Sequence, residues 1–216
     1  MNFVTAIETA LVLLALVVAF SLRPWRLMAG GRLLTPILGT LVLLPWLWAL
    51  PTLHTMPLQL RWSGACLVLL MLGWPLAVLV LIAAALLAWV LAAALVPGPA
   101  LALHDVIALV FWQGLLPATF GLALGALLRR LFGAHLFIYL LGRAFLGTVV
   151  CVFAAGALQN QAGPASPLFD SSLPLIAHWL FAWGDGIITG MLTTIFVAFK
   201  PHWLATWSDN LYLHTK

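Results

Sequence analysis

Trp183-Gly184-Asp185-Gly186-Ile187-Ile188-Thr189-Gly190 lies inside an apolar run, Leu173 to Phe199, long enough to cross a bilayer as one helix. A carboxylate at that depth costs several kcal/mol unless something compensates it, so Asp185 marks either a structural charge pair or a substrate or ion site. Gly186 and Gly190 are four apart, the spacing that lets a second helix approach backbone to backbone. His178, seven residues before Asp185, falls on nearly the same helix face.

The rest of the chain repeats the pattern. Of 216 residues 65% are hydrophobic and only 6% charged, with mean hydropathy +1.17. Soluble domains are about a quarter charged, so a chain this poor in charge must use lipid as its solvent. The runs are long and continuous, unlike the short alternating segments of a β-barrel. The sequence therefore predicts a single all-α membrane domain over residues 1–216, about seven helices in one bundle. The spans are expected at 2–22, 33–50, 62–73, 75–96, 106–128, 135–158 and 173–199. The division between the third and fourth is the weakest, because only Gly73-Trp74-Pro75 separates them.

The first span carries Glu8 and has neither a basic leading region nor a small-x-small exit, so it reads as a retained helix rather than a cleaved signal. With the amino terminus outside, Arg23, Arg26, Arg32, Arg129, Arg130, Lys200 and Lys216 fall on the cytoplasmic side, and the exterior loops hold only Arg61. The positive-inside rule then sets the amino terminus outside and the carboxyl terminus in the cytoplasm. The same distribution accounts for the net charge of +4 through topology, without a nucleic-acid partner. Pro45-Trp46-Leu47-Trp48 suits the headgroup level at the end of the second span, and Asp105 suits the start of the fifth.

Four polar residues stand out within the spans: Glu8, Arg143, His178 and Asp185. Glu8 and Asp185 lie about 20 Å, and Arg143 roughly 12 Å, from the cytoplasmic ends of their helices. A flexible arginine can bridge that difference, so Arg143 is expected to pair with Asp185 or Glu8. Gly121 and Gly125 form a second close-approach pair beside Gly186 and Gly190. Among the histidines, His54 and His104 fall outside, and His135, His202 and His214 inside. No HxxxH or HExxH occurs, so no single helix presents two ligands. Cys66 and Cys151 lie in apolar segments and read as small packing residues. Catalysis is not expected: Ser63 is the one serine near an exterior span start, and no GxSxG elbow surrounds it. No permanently bound cofactor is expected either.

Ser63-Gly64-Ala65, the apolar run to Gly73-Trp74-Pro75, and Asp185-Gly186-Ile187-Ile188-Thr189-Gly190 together resemble the CbiM family. These are the membrane substrate-binding components of energy-coupling-factor ABC transporters for cobalt and nickel. The run from Phe196 through Pro201-His202-Trp203-Leu204 to Asp209 and Tyr212-Leu213 is similar to a proteobacterial branch of that family. The resemblance implies seven helices, an exterior amino terminus, the bacterial inner membrane, and partners in a transmembrane coupling protein and ATP-binding subunits. It also implies docking of those partners on the basic loops and on the glycine faces of the last three spans. Metal-transporting members begin Met-His and carry a histidine just after Ser-Gly. Here Asn2 and Ala65 stand at those positions, followed by Cys66. That leaves the amino group of Met1, with His54 or Cys66 as replacement ligands for a transported divalent ion. The alternative is a non-transporting scaffold subunit that keeps the architecture without the metal site.

Overall fold

The computed structural model describes residues 3–28, 30–53, 62–95, 102–162, 172–208 and 212. They form a helical bundle, with no strand among the described residues. Helices α1 (Phe3–Ser21), α2 (Trp25–Met28) and α3 (Leu34–Leu53) come first. Next are α4 (Ala65–Leu72), α5 (Trp74–Leu95) and α6 (Leu103–Leu109), then α7 (Leu116–Phe132), α8 (Gly147–Ala162) and α9 (Ser172–Phe199). Two stretches are wound more widely, as π-helix: Val110–Leu115 joins α6 to α7, and Ile138–Leu146 leads into α8. Six helical stretches among the described residues are long and apolar enough to cross a membrane.

The expected third span, 62–73, is the element that differs. Its helix α4 has eight residues, all buried, and reaches only about 12 Å, less than half the hydrocarbon thickness. Gly73, at φ 74°, ends it in a conformation that a side chain would strain. Trp74-Pro75 then starts α5, proline being tolerated where no helical N–H is required. The chain thus makes two buried turns of helix, breaks at Gly73 and starts a new helix.

A short helix inside a bilayer must find partners for the backbone groups at both ends. At the carboxyl end the segment after α9 supplies them. The N–H groups of Ala205 and Thr206 donate to the carbonyls of Met71 (2.9 Å) and Leu70 (3.3 Å). The Thr206 hydroxyl also donates to Leu70 at 2.9 Å. Tyr139, Trp207 and Tyr212 hold this segment in place: Trp207 and Tyr212 stack at 4.7 Å, and both rings pack on Tyr139. Over 201–208 the chain after α9 is a docked plug under α4.

One more expectation changes. Trp48 is not a headgroup anchor, because α3 runs on to Leu53 and carries that ring into the core. Its indole N–H donates to the Trp62 carbonyl at 2.9 Å, so the chain entering α4 satisfies it. Asp105 caps the start of α6 as expected: from the first turn its carboxylate accepts the Ala102 N–H at 3.1 Å.

Candidate functional site

The amino end of α4 meets Asp185. Gly64 adopts a left-handed conformation, φ 62°. A methyl group there would sit 3.0 Å from the Trp62 ring and 3.1 Å from Leu44. That turn aims two successive backbone N–H groups at one carboxylate oxygen: Ser63 donates to Asp185 Oδ2 at 3.0 Å and Gly64 at 3.2 Å. The Thr189 hydroxyl, one turn along α9, reaches Oδ1 at 3.4 Å. Asp185, Ser63 and Thr189 are all buried. Helix α4 adds its own positive end to the same spot. The acid in the last span is therefore met by backbone dipoles of a broken helix.

Ser63 also ties this turn to the π-wound stretch. Its hydroxyl donates to the Gln113 carbonyl at 2.6 Å and accepts the Ala65 N–H at 3.2 Å. The sequence explains why that carbonyl is free. The residue four positions on is Pro117, which has no N–H to offer and whose ring crowds the carbonyl one turn back. Wider winding over Val110–Leu115 is a standard relief for such a clash. The Gln113 amide points the other way, toward Gln159 on α8 at 3.4 Å.

Its neighbour Trp112 donates its indole N–H to Glu8 on α1 at 2.6 Å. A belt of polar contacts thus has two branches at residues 112 and 113: Trp112 reaches α1, and Gln113 reaches α8 and, through Ser63, α9. Among its members Glu8, Asp185 and Ser63 stand out in the sequence, and Trp112, Gln113 and Gln159 do not. The Gln113-to-Pro117 spacing was the available signal for the rest.

Several expected partners separate. Among the described residues Arg143 makes no ion pair with Asp185 or Glu8, whose oxygens accept N–H groups from elsewhere. Arg143 instead lies in the slot above Gly125, where a methyl group would come within 2.5 Å of its Nε. Its guanidinium rests 5.7 Å from the Tyr139 ring centre. His178 packs on Gly156 of α8, whose added methyl would lie 2.6 Å from Nδ1. Facing α8 rather than α4, it stays off the Asp185 carboxylate.

The four close-approach glycines serve this bundle internally. Gly121 admits Leu69 and Cys66, Gly125 admits Arg143, Gly186 admits Val149, and Gly190 admits Phe145. Those four positions are filled by the chain itself. Of the expected ligands, Cys66 is buried and donates its thiol to the Pro117 carbonyl at 3.6 Å. Met1, Asn2 and His54 lie outside the described residues. No group of three His, Cys, Asp or Glu side chains suited to a metal converges among the described residues. Two apolar clefts, about 290 Å³ beside Leu11 and Phe111 and about 430 Å³ beside Phe145 and Met191, do not include Asp185. No protein-family model, curated protein or solved structure matches this chain.

Proposed function

We propose that this chain is the substrate-capture membrane component of an energy-coupling-factor ABC transporter in a bacterial inner membrane. In this reading it takes a small solute, cobalt- or nickel-like in the simplest case, from the exterior. A transmembrane coupling protein and ATP-binding subunits drive its release inward, with the amino terminus outside and the carboxyl terminus in the cytoplasm. One observation supports it most: a two-turn helix, broken inside the bundle, whose amino end is held by an acid from the last span. Discontinuous helices with buried ends are the structures from which membrane transporters build midplane sites. A carboxylate on such an end can exchange backbone donors for a cation, and the turn at Gly64 is the element that would move.

The scaffold reading has its own support, because Asp185 and Cys66 are both fully engaged within the chain. Affinity purification of the tagged full chain from its native membrane separates the two. Co-purifying ATPase and coupling subunits, with uptake of radioactive nickel or cobalt by cells that express all three, are the expected result. Stable capture of an unrelated membrane complex without any ATPase overturns transport in favour of a scaffold. The cobalt and nickel version also predicts that acetylating the amino terminus abolishes ion binding. A purified chain that binds neither ion at millimolar concentration removes that version.

A further inference from the structure

The carboxyl half of α1 brings together an apolar cleft, an unpaired donor and two unpaired cations. The cleft encloses about 290 Å³ between α1, the start of α5 and the π-wound stretch that leads into α7. Phe111 and Leu115 of that stretch are its buried floor, and Leu11 and Leu14 of α1, both exposed, are its rim. Val18 and Trp74 line it too, which carries it to within one turn of the end of α1 at Ser21. The Trp74 indole N–H is buried and has no hydrogen-bond partner among the described residues. Past Ser21 the chain turns sharply. Arg23 takes a left-handed conformation, φ 52°, that a residue with a side chain seldom adopts. Its N–H donates to the Phe20 carbonyl at 3.0 Å, and its own carbonyl accepts the Arg26 N–H at 3.1 Å. Arg23 and Arg26 are exposed, and neither is in an ion pair among the described residues.

We infer that this cleft is a site for one anionic phospholipid of the surrounding bilayer. An acyl chain suits the lining, which apart from Trp74 and Thr119 is hydrocarbon, and the Thr119 hydroxyl is already given to the Leu116 carbonyl at 2.9 Å. The volume lies at the low end for small-molecule sites. It holds a single chain, whereas a partner helix, about 10 Å across, does not enter. Trp74 stands where that chain joins the glycerol, a boundary at which tryptophan is at home. An ester carbonyl there can accept the indole N–H once the ring rotates to uncover it. The arginines lie beyond, at the level of the phosphate. Basic residues beside a membrane helix select anionic headgroups, and a zwitterionic lipid offers them no net charge. Apolar slot, single donor and cation pair thus follow one another in the order of a phospholipid's chain, ester and phosphate. The site stands apart from the transport reading and does not rest on it, because Asp185 is not among its lining residues.

The test uses the purified full chain in detergent, stripped of lipid. It is titrated with phosphatidylglycerol, phosphatidylcholine and an ether-linked phosphatidylglycerol while native mass spectrometry counts the bound molecules. One ester-linked phosphatidylglycerol per chain is expected, held about thirtyfold more tightly than phosphatidylcholine at low salt, as two arginines near an anionic group would give. Arg23→Gln combined with Arg26→Gln should erase that preference and leave phosphatidylcholine binding unchanged. The ether lipid lacks the carbonyls and should bind about fivefold more weakly, the worth of one hydrogen bond. Trp74→Phe should remove the difference between ester and ether. Several lipids per chain without headgroup preference would mean annular lipid only and overturn the site. So would a preference that survives the double arginine substitution, equal binding of ester and ether lipids, or no bound lipid at all. The lipid panel on the unaltered chain decides the question even where a variant fails to fold. Failure here leaves co-purification of ATPase untouched, and absence of ATPase leaves the lipid count untouched, so the two readings fail separately.

Discussion

Asp185 and Arg143 are opposite charges on helical segments that pack against each other, yet the bundle treats them differently. The acid is sealed from lipid and water, with both oxygens engaged by donors fixed in the fold. The base is only partly covered, lies along a glycine slot and an aromatic ring, and keeps its buried Nε without a hydrogen-bond partner. The difference shows that an intramembrane acid need not be answered by a counter-charge. Two aligned N–H groups and a helix end supply compensation that is fixed in direction, and they do so only where the chain is broken to expose them. Arg143 has a long side chain and lays its guanidinium along the slot over Gly125, a reach that a short aspartate lacks.

The sharpest way to break this contrast is to remove the acceptor. Asp185→Ala should strand the Ser63 and Gly64 N–H groups in the core. The expected loss is about 2–6 kcal/mol, about 1–3 for each N–H group left without an acceptor, measured by denaturant unfolding in detergent. Asp185→Asn keeps an oxygen that can accept both N–H groups, so its loss should be less than half as large. Equal losses for the two variants would mean that the negative charge itself matters, and backbone compensation would be the wrong account.

A smaller effect should follow from damaging the turn while leaving the acid in place. Gly64→Ala puts a methyl group on a residue at φ 62° and drives it toward Trp62 and Leu44. Strain of that kind costs about 1–3 kcal/mol. Because the turn no longer aims its N–H groups, Gly64→Ala and Asp185→Asn should couple rather than add in a double-mutant cycle.

The membrane class and the placement of most spans were legible because hydropathy and length alone set them. The buried acid was legible for the same reason: one carboxylate amid apolar residues has to mean something. What answers it was not legible. Backbone donors carry no residue identity, so nothing in Ser63-Gly64 advertises that its N–H groups face a helix 121 and 122 positions away. A run of apolar residues from Ala65 to Leu72 reads as part of a span, because hydropathy counts residues and not the turn that Gly73 imposes. The arginine pairing went wrong through a related assumption. Depth along the helices allowed Arg143 to reach either acid, but the faces set by Gly125 and Tyr139 turn it elsewhere.

The least effect is expected at Arg143, and it separates the two regions most cleanly. Replacing a poorly satisfied intramembrane charge by an apolar side chain of similar length is often neutral or stabilising. Arg143→Met should therefore change unfolding stability by under about 1 kcal/mol, with a gain as acceptable as a loss. Methionine can follow the arginine stem over Gly125 and keep contact with the Tyr139 ring. Combined with Asp185→Asn the effects should add within about 0.5 kcal/mol, since the two side chains share no contact. A strongly destabilised Arg143→Met chain, rescued by neutralising Asp185 or Glu8, would reinstate the ion pair and reverse the contrast.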